Sequence, residues 1–160
     1  MNSLVIYASR TGNTRHLAEA IAETLRPRGS VHLLSVEAAP PRVPEGTDLV
    51  VIGGPTEAHG MTPPMKEFFD RLEIDALSGI AAAGFDTRLR WPIWLSGSAA
   101  EGIVDLLNRR NARVVVPAES FLVTRTPVLE EGELERAREW ATSVAVAAEA
   151  MVPLAAGVLA

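Results

Sequence analysis

The residue types that could do chemistry in this chain concentrate first in Ser9-Arg10-Thr11-Gly12-Asn13-Thr14. An apolar run, Leu4 to Ala8, precedes them. A helical pattern of Leu17, Ala18, Ile21, Ala22 and Leu25 follows. The order is strand, hydroxyl-rich turn, helix. The first N–H groups of a helix have no intrahelical acceptor and carry partial positive charge, so this turn is suited to an anion such as phosphate. Gly12 lets the backbone approach the anion closely. Ser9, Thr11, Asn13 and Thr14 add uncharged donors, and Arg10 adds long-range attraction. The competing explanation is helix capping, which needs one such residue. Here five of six positions are polar.

Two further loops carry polar or aromatic groups. After the apolar run Asp48 to Ile52 comes a shaped turn, Gly53 to Thr62, which includes Pro55, Thr56, Glu57, Ala58, His59 and Gly60. After Ile80 to Phe85 comes a long loop, Asp86 to Ser98. It holds Thr87, Arg88, Arg90, Trp91 and Trp94. A flat tryptophan can stack on an aromatic ligand, a contact worth about 0.5–1.5 kcal/mol beyond its buried area. The alternatives are a solvated His59, a Trp94 that anchors its loop to the core, and arginines that pair with nearby carboxylates.

Several chemistries are excluded. The chain has no cysteine, so disulfides, thiolate catalysis and cysteine-ligated metals are absent. Lys66 is the sole lysine, and neither GxxxxGK[ST] nor GxGxxG occurs. No GxSxG or HExxH spacing is present. The net charge of −5 argues against nucleic acid as a partner. No apolar stretch reaches membrane-span length, and no signal pattern opens the chain, so no membrane insertion and a cytoplasmic location are expected.

The positioning elements follow from periodicity. Strands are expected at Leu4–Ala8, Val31–Val36, Asp48–Ile52, Ile80–Phe85 and Arg113–Val116. Helices are expected at Asn13–Arg26, from Pro63 along Met65, Phe68, Phe69 and Leu72, and from Ser98 along Ile103, Val104, Leu106 and Leu107. A last helix, Gly132–Met151, would be buried through Leu134, Ala137, Ala141, Val144, Ala145 and Ala148. Pro40, Pro41 and Pro44 leave only a loop or single turn between strands two and three. This alternation predicts an α/β fold: a doubly wound five-stranded parallel sheet in the order 2-1-3-4-5, with helices on both faces. One domain spans 1–152, followed by an apolar tail at 153–160. Ligands of such sheets bind at the C-terminal strand ends by the switch point, which selects the loops after strands one, three and four.

The turn at Ser9–Thr14 fully matches [ST]-x-T-G-x-T directly after the first strand, and it resembles the phosphate loop of flavodoxins. The resemblance extends in order of elements over nearly the whole chain. It implies that Ser9, Arg10, Thr11, Gly12, Asn13 and Thr14 wrap the phosphate of flavin mononucleotide (FMN). It further implies that Pro55, Thr56, Glu57, Ala58, His59 and Gly60 flank the flavin ring on one side, and Asp86, Thr87, Arg88 and Trp91 on the other. The family often places a flat residue in the loop after strand three and a tyrosine after strand four. This chain has neither, which leaves His59 or Met61 to face the ring. Typical flavodoxins surround the ring with carboxylates. Here Arg88 and Arg90 offset Glu57 and Asp86, an arrangement expected to raise the flavin potential. The implied function is electron transfer with a redox partner protein or a small-molecule electron acceptor. The alternatives are an FMN-dependent NAD(P)H:quinone oxidoreductase or related flavodoxin-like dehydrogenase, and a non-flavin module that uses the same turn for another phosphate.

Overall fold

The computed structural model describes residues 1–151. Strands β1 (Ser3–Tyr7), β2 (Val31–Ser35), β3 (Leu49–Glu57) and β5 (Ala81–Leu89) lie parallel in the order β2-β1-β3-β5. The last position of the sheet is shared. β6 (Arg113–Val114) pairs with Ala81–Ala82 at the start of β5, and β7 (Glu119–Val123) pairs with Phe85–Leu89 at its end, both parallel. The expected order therefore holds, with the fifth strand delivered in two pieces. Pro117 lies between them; it has no N–H to give to the ladder, and the chain leaves β5 there. The expected strand Arg113–Val116 is accordingly shorter, and β7 was not anticipated.

Side chains alternate across the sheet and build two cores. Val5, Val51, Ala83 and Phe85 face helices α1 (Asn13–Leu25) and α5 (Glu133–Glu149). Leu4, Ile6, Val50, Ile52 and Ala82 face α2 (Pro63–Arg71) and α4 (Ala99–Arg109). Leu17, Ala18, Ile21, Ala22 and Leu25 all point inward, as the spacing predicts. Ser98 caps α4, its Oγ accepting from the Glu101 N–H at 3.3 Å. Asn111 ends that helix with φ 57°. In α5 the buried stripe runs through Ala137, Trp140, Ala141, Val144, Ala145 and Ala148. Leu134 is exposed instead, and Trp140 takes the large-residue position, meeting Phe85 and Phe121 edge-on at centroid distances of 5.8 and 6.0 Å. The segment 38–46 forms no helix, as its prolines predict. The expected apolar tail at 153–160 lies outside the described residues.

Two strands run further than the turn residues suggest. β3 continues through Gly53 to Glu57, with Gly53 opposite Phe85 and Pro55 opposite Thr87. A Cβ on Gly53 would stand 2.1 Å from the Phe85 ring, so the glycine serves close packing rather than a bend. β5 correspondingly continues through Asp86 to Leu89, because β7 pairs with it there.

Beside that end of the sheet, Arg136 on α5 clamps Glu133. Its Nε donates to Oε1 at 3.0 Å and its NH2 to Oε2 at 2.8 Å. The Leu122 N–H also donates to Glu133, at 2.6 Å. Burial pushes the Glu133 carboxyl up, but these donors outweigh it and hold the group below its ordinary value of 4.5. A depressed carboxyl contributes stability that is present above its unfolded pKa and lost as pH falls through the folded one. Glu133→Gln should therefore lower the melting temperature at neutral pH. The gap from wild type should close as pH drops below 4.5. Thermal melts across that range test this, and a pH-independent gap would assign the loss to packing.

Candidate functional site

The turn after β1 is held in shape by its own side chains. Ser9 Oγ accepts from the N–H groups of Gly12 and Arg15, at 3.2 and 3.3 Å. Asn13 Nδ2 donates to Thr11 Oγ1 at 3.2 Å and to the Pro127 carbonyl at 2.8 Å. The Thr14 and Thr87 hydroxyls are bonded to each other at 3.1 Å, both buried. Helix α1 thus begins at Gly12, which has φ 94° and supplies no side-chain cap. A Cβ added to Gly12 would meet nothing within 4 Å. Among the described residues, the N–H groups of Asn13 and Thr14 have no acceptor. Thr11 is exposed and retains its own hydroxyl hydrogen. One hydrogen of the Thr14–Thr87 pair is also left over, since a single bond consumes only one. This donor set, at the N-terminus of a thirteen-residue helix, suits a dianionic phosphate.

Three hollows lie at this end of the sheet, two of them lined in part by the turn. One of about 220 Å3 runs between it and the sheet, lined by Arg10, Thr11, Asn13, Pro55, Thr56, Glu57, Thr87 and Arg88, and closed by Thr124, Arg125 and Pro127. The next, about 250 Å3, shares Thr56, Arg88 and Leu89 with the first and adds Ala58, His59 and Trp91. The third, about 370 Å3, lies on the α2 side by Ser9, Arg10, Pro55, Glu57 and Thr62. The sheet therefore brings most of the sequence-selected residues to one end. Gly12, Thr14, Gly60 and Asp86 do not line them; Thr14 and Asp86 are buried.

The loop after β3 is a hairpin. β4 (Gly60–Met61) pairs antiparallel with Thr56 and Glu57, leaving Ala58 and His59 as a two-residue turn. Both have positive φ, 45° and 69°. Such turns favour Asn-Gly, and an L-residue with a Cβ is strained there. Gly97 seals the tip: a Cβ on it would lie 2.2 Å from the His59 carbonyl oxygen. Replacing Ala58 by Asn and His59 by Gly together should stabilise the fold by about 1 kcal/mol in urea denaturation. No gain would mean that the turn changes conformation in solution.

Asp86 is fully buried and turned into the protein. Its Oδ2 accepts from the Thr56 hydroxyl at 2.9 Å, the Ser98 hydroxyl at 2.8 Å and the Ala100 N–H at 2.9 Å. Thr56 Oγ1 in turn accepts from the Ala99 N–H at 2.8 Å. Asp86 ties β3, β5 and the start of α4 together and does not line the hollows.

The four rim arginines divide. Arg10 pairs with Glu57 at 3.1 Å and Arg90 with Glu130 at 2.5 Å, both with well-exposed guanidinium groups. The expected balance of Glu57 and Asp86 by Arg88 and Arg90 takes another form: Glu57 pairs with Arg10, and Glu130, which follows β7, pairs with Arg90. Among the described residues Arg88 has no carboxylate partner and its buried Nε no acceptor; its NH1 donates to the Leu89 and Trp91 carbonyls at 3.2 and 2.7 Å. Arg125 lies 6.0 Å from the Trp91 ring centroid. Neither Trp91 nor Trp94 anchors its loop to the core, and Trp94 is 84% exposed. Among the described residues no group of histidines and carboxylates could hold a metal ion.

Sequence reasoning passed over Thr124, Arg125 and Pro127. They follow β7, a strand not foreseen. Once β7 is placed at the sheet edge, the strand-end rule selects them as it selected the other loops.

The comparisons with known proteins agree with this geometry. A flavodoxin domain model matches residues 4–90. The flavodoxin of Aquifex aeolicus (strain VF5) is 36% identical over 93 residues, covering 55% of this chain and 50% of that protein, so the chain spans about half the length of the curated relative it matches. A flavodoxin from the domain Archaea superposes with a TM-score of 0.78 at 20% identity, over 93% of this chain and 99% of its own. A WrbA-like flavodoxin from Agrobacterium tumefaciens gives 0.70 at 22% identity, over 94% and 98%. The family match covers more than half of the residues and takes in nearly all of β1, the glycine-initiated helix, the loop after β3 and the whole of β5: this chain belongs to the flavodoxin domain family.

Proposed function

We propose that the chain carries FMN on the turn Ser9–Thr14 and passes electrons between redox partners. FMN is the cofactor that family membership implies. The observation that carries the assignment of the site is the start of α1: a left-handed glycine, two N–H groups without acceptors, and side chains already committed to holding the turn. When bound, FMN supplies one- and two-electron chemistry; the protein supplies orientation, electrostatics and exclusion of water. In this reading the Asn13 and Thr14 N–H groups and the Thr11 hydroxyl hold the phosphate. Pro55, Thr56, Thr87 and the 124–127 turn wall the middle of the site. Ala58, His59, Arg88 and Trp91 stand at the ring end, with Glu57 and Arg10 locked across the mouth by their ion pair.

Arg88 supports a second reading. A cationic side chain without a carboxylate partner beside the ring end would stabilise an anionic reduced flavin and raise its potential. That favours a quinone acceptor or NAD(P)H as donor, and hence an FMN-dependent NAD(P)H:quinone oxidoreductase. The partner is a redox protein in the first reading and a small electron acceptor in the second. A cytoplasmic setting suits both, and no helix among the described residues is long and apolar enough to cross a membrane.

The absorption spectrum of the purified protein, before and after added FMN, followed by NADPH under nitrogen, separates the readings. A yellow protein reduced only through a reductase is a carrier. Direct bleaching by NADPH makes it an enzyme. A protein that FMN cannot turn yellow overturns both.

A further inference from the structure

Five of the eight exposed large apolar side chains among the described residues sit on one rim of the molecule: Trp91, Ile93, Trp94, Leu95 and Val128. The first four belong to a single turn between β5 and α4. Its tip is one short helical turn, α3 (Ile93–Ser96). The turn is not slack. Leu95 and Ser96 N–H donate to the Pro92 carbonyl at 2.9 and 3.0 Å, and Gly97 N–H to the Ile93 carbonyl at 2.7 Å. Arg88 NH1 grips the Trp91 carbonyl from below at 2.7 Å. Gly97 is fastened to the His59 hairpin. The backbone therefore holds Trp94 outward, 84% exposed, with Ile93 and Leu95 on either side. Ordered display of this much apolar surface indicates something that covers it.

Charge narrows the choice of cover. From Thr87 to Ala100 there is no carboxylate, while Arg88 and Arg90 lie in that stretch and Arg125 stands over Trp91. Glu130 neutralises Arg90, and Glu57 neutralises Arg10 across the neighbouring mouth. Glu101 and Asp105 share a hollow with Ile93 along α4, whereas Arg88 shares one with Trp91. The tryptophan side of the turn is thus locally basic although the whole chain carries −5. A second copy would set Arg88 and Arg125, which have no carboxylate partner among the described residues, against their own counterparts, which disfavours self-association. A lipid interface meets the requirement: tryptophans prefer the headgroup level, short apolar side chains reach the acyl boundary, and arginines meet lipid phosphates.

We propose that the Trp91–Leu95 turn docks this protein peripherally on a bilayer containing anionic lipid. The contact is a shallow wedge, not a span, and it does not rest on the electron-transfer reading. It would place the hollow lined by Arg88 and Trp91 next to the membrane surface.

The test is flotation of the full chain with phosphatidylcholine vesicles containing roughly one-third phosphatidylglycerol, and with phosphatidylcholine alone. Wild type is expected to float with the anionic vesicles, less at high salt. The double variant Ile93→Ser, Trp94→Ser should lose about tenfold in partitioning while keeping its circular dichroism and melting point. Should that variant unfold, brominated phosphatidylcholine decides on the wild type: vesicle-dependent quenching of tryptophan emission is expected. Failure of the wild type to float, or absence of quenching, overturns the proposal. Equal flotation of a folded double variant does so too. A solution dimer dispersed by that variant, without vesicle binding, would assign the turn to self-association instead.

Discussion

Asp86→Ala is expected to destabilise the fold by about 3–5 kcal/mol in urea denaturation, with the FMN affinity falling in parallel. One oxygen of this buried carboxylate takes three donors from two elements: Thr56 at the end of β3, and Ser98 and Ala100 at the start of α4. Each is a charge-assisted bond, worth roughly 1.5–3 kcal/mol and not additive with its neighbours. The carboxylate also sits at the positive end of α4. Against this stands the cost of burying the charge, raised here because Oδ1 has no partner. Removing the side chain leaves that cost behind only in part: the Ala100 N–H and two hydroxyls are stranded in its place. Asp86→Asn keeps the shape and one acceptor, so it should fall between wild type and Ala. The affinity loss follows because Thr56 begins the hairpin that closes the ring end of the site. A loss below about 1 kcal/mol in the Ala variant would mean that desolvation of the carboxylate cancels its bonds.

Asp86 also marks where sequence reasoning stops. Its position after a strand, near polar and aromatic residues, reads as a ligand contact. Its role is set by which way β5 turns it, and that depends on β5 running on to Leu89. Nothing local announces this. Gly53, Gly54 and Pro55 carry the usual residue types of a turn, yet β3 continues through them because Phe85 needs the space that Gly53 leaves. Both errors are tertiary: a neighbouring strand decided what the local residue types left open. The turn that starts α1 was legible for the opposite reason. A strand end, a glycine and a helix start follow one another within a few residues, so the geometry is local. The buried face of α1 was legible as plain periodicity. In α5 the same periodicity passed through Trp140, but the alanine-rich stretch gave several equivalent stripes, and Leu134 was placed inside the wrong one. Arg90 shows the limit for charges. Its partner Glu130 is distant in sequence and joins it only through β7.

FMN is expected to bind at least about a hundredfold more tightly than riboflavin, because only FMN has a group for the start of α1. Among the described residues, the two N–H groups of Asn13 and Thr14 and the Thr11 hydroxyl have no acceptors. Two charge-assisted bonds to a phosphate, at roughly 1.5–3 kcal/mol each, already correspond to that ratio or more. Preorganisation adds to it. Ser9, Asn13 and the Thr14–Thr87 pair fix the turn beforehand, so little ordering remains to be done on binding. The same bonds make the variants informative. Thr87→Val breaks the hydroxyl pair without touching the backbone donors and should weaken FMN binding by a smaller factor than loss of the phosphate does. Gly12→Val forces a branched side chain to φ 94° and should disrupt the turn itself. Salt should affect the FMN-to-riboflavin ratio only modestly, through Arg88 and Arg125 in the same hollow, since Arg10 is held by Glu57 and the donors of the turn are uncharged. Fluorescence titration of both flavins settles the matter. Equal affinities would reduce the Ser9–Thr14 turn to a well-made helix start, and the ligand of this rim would then have to be sought without a phosphate.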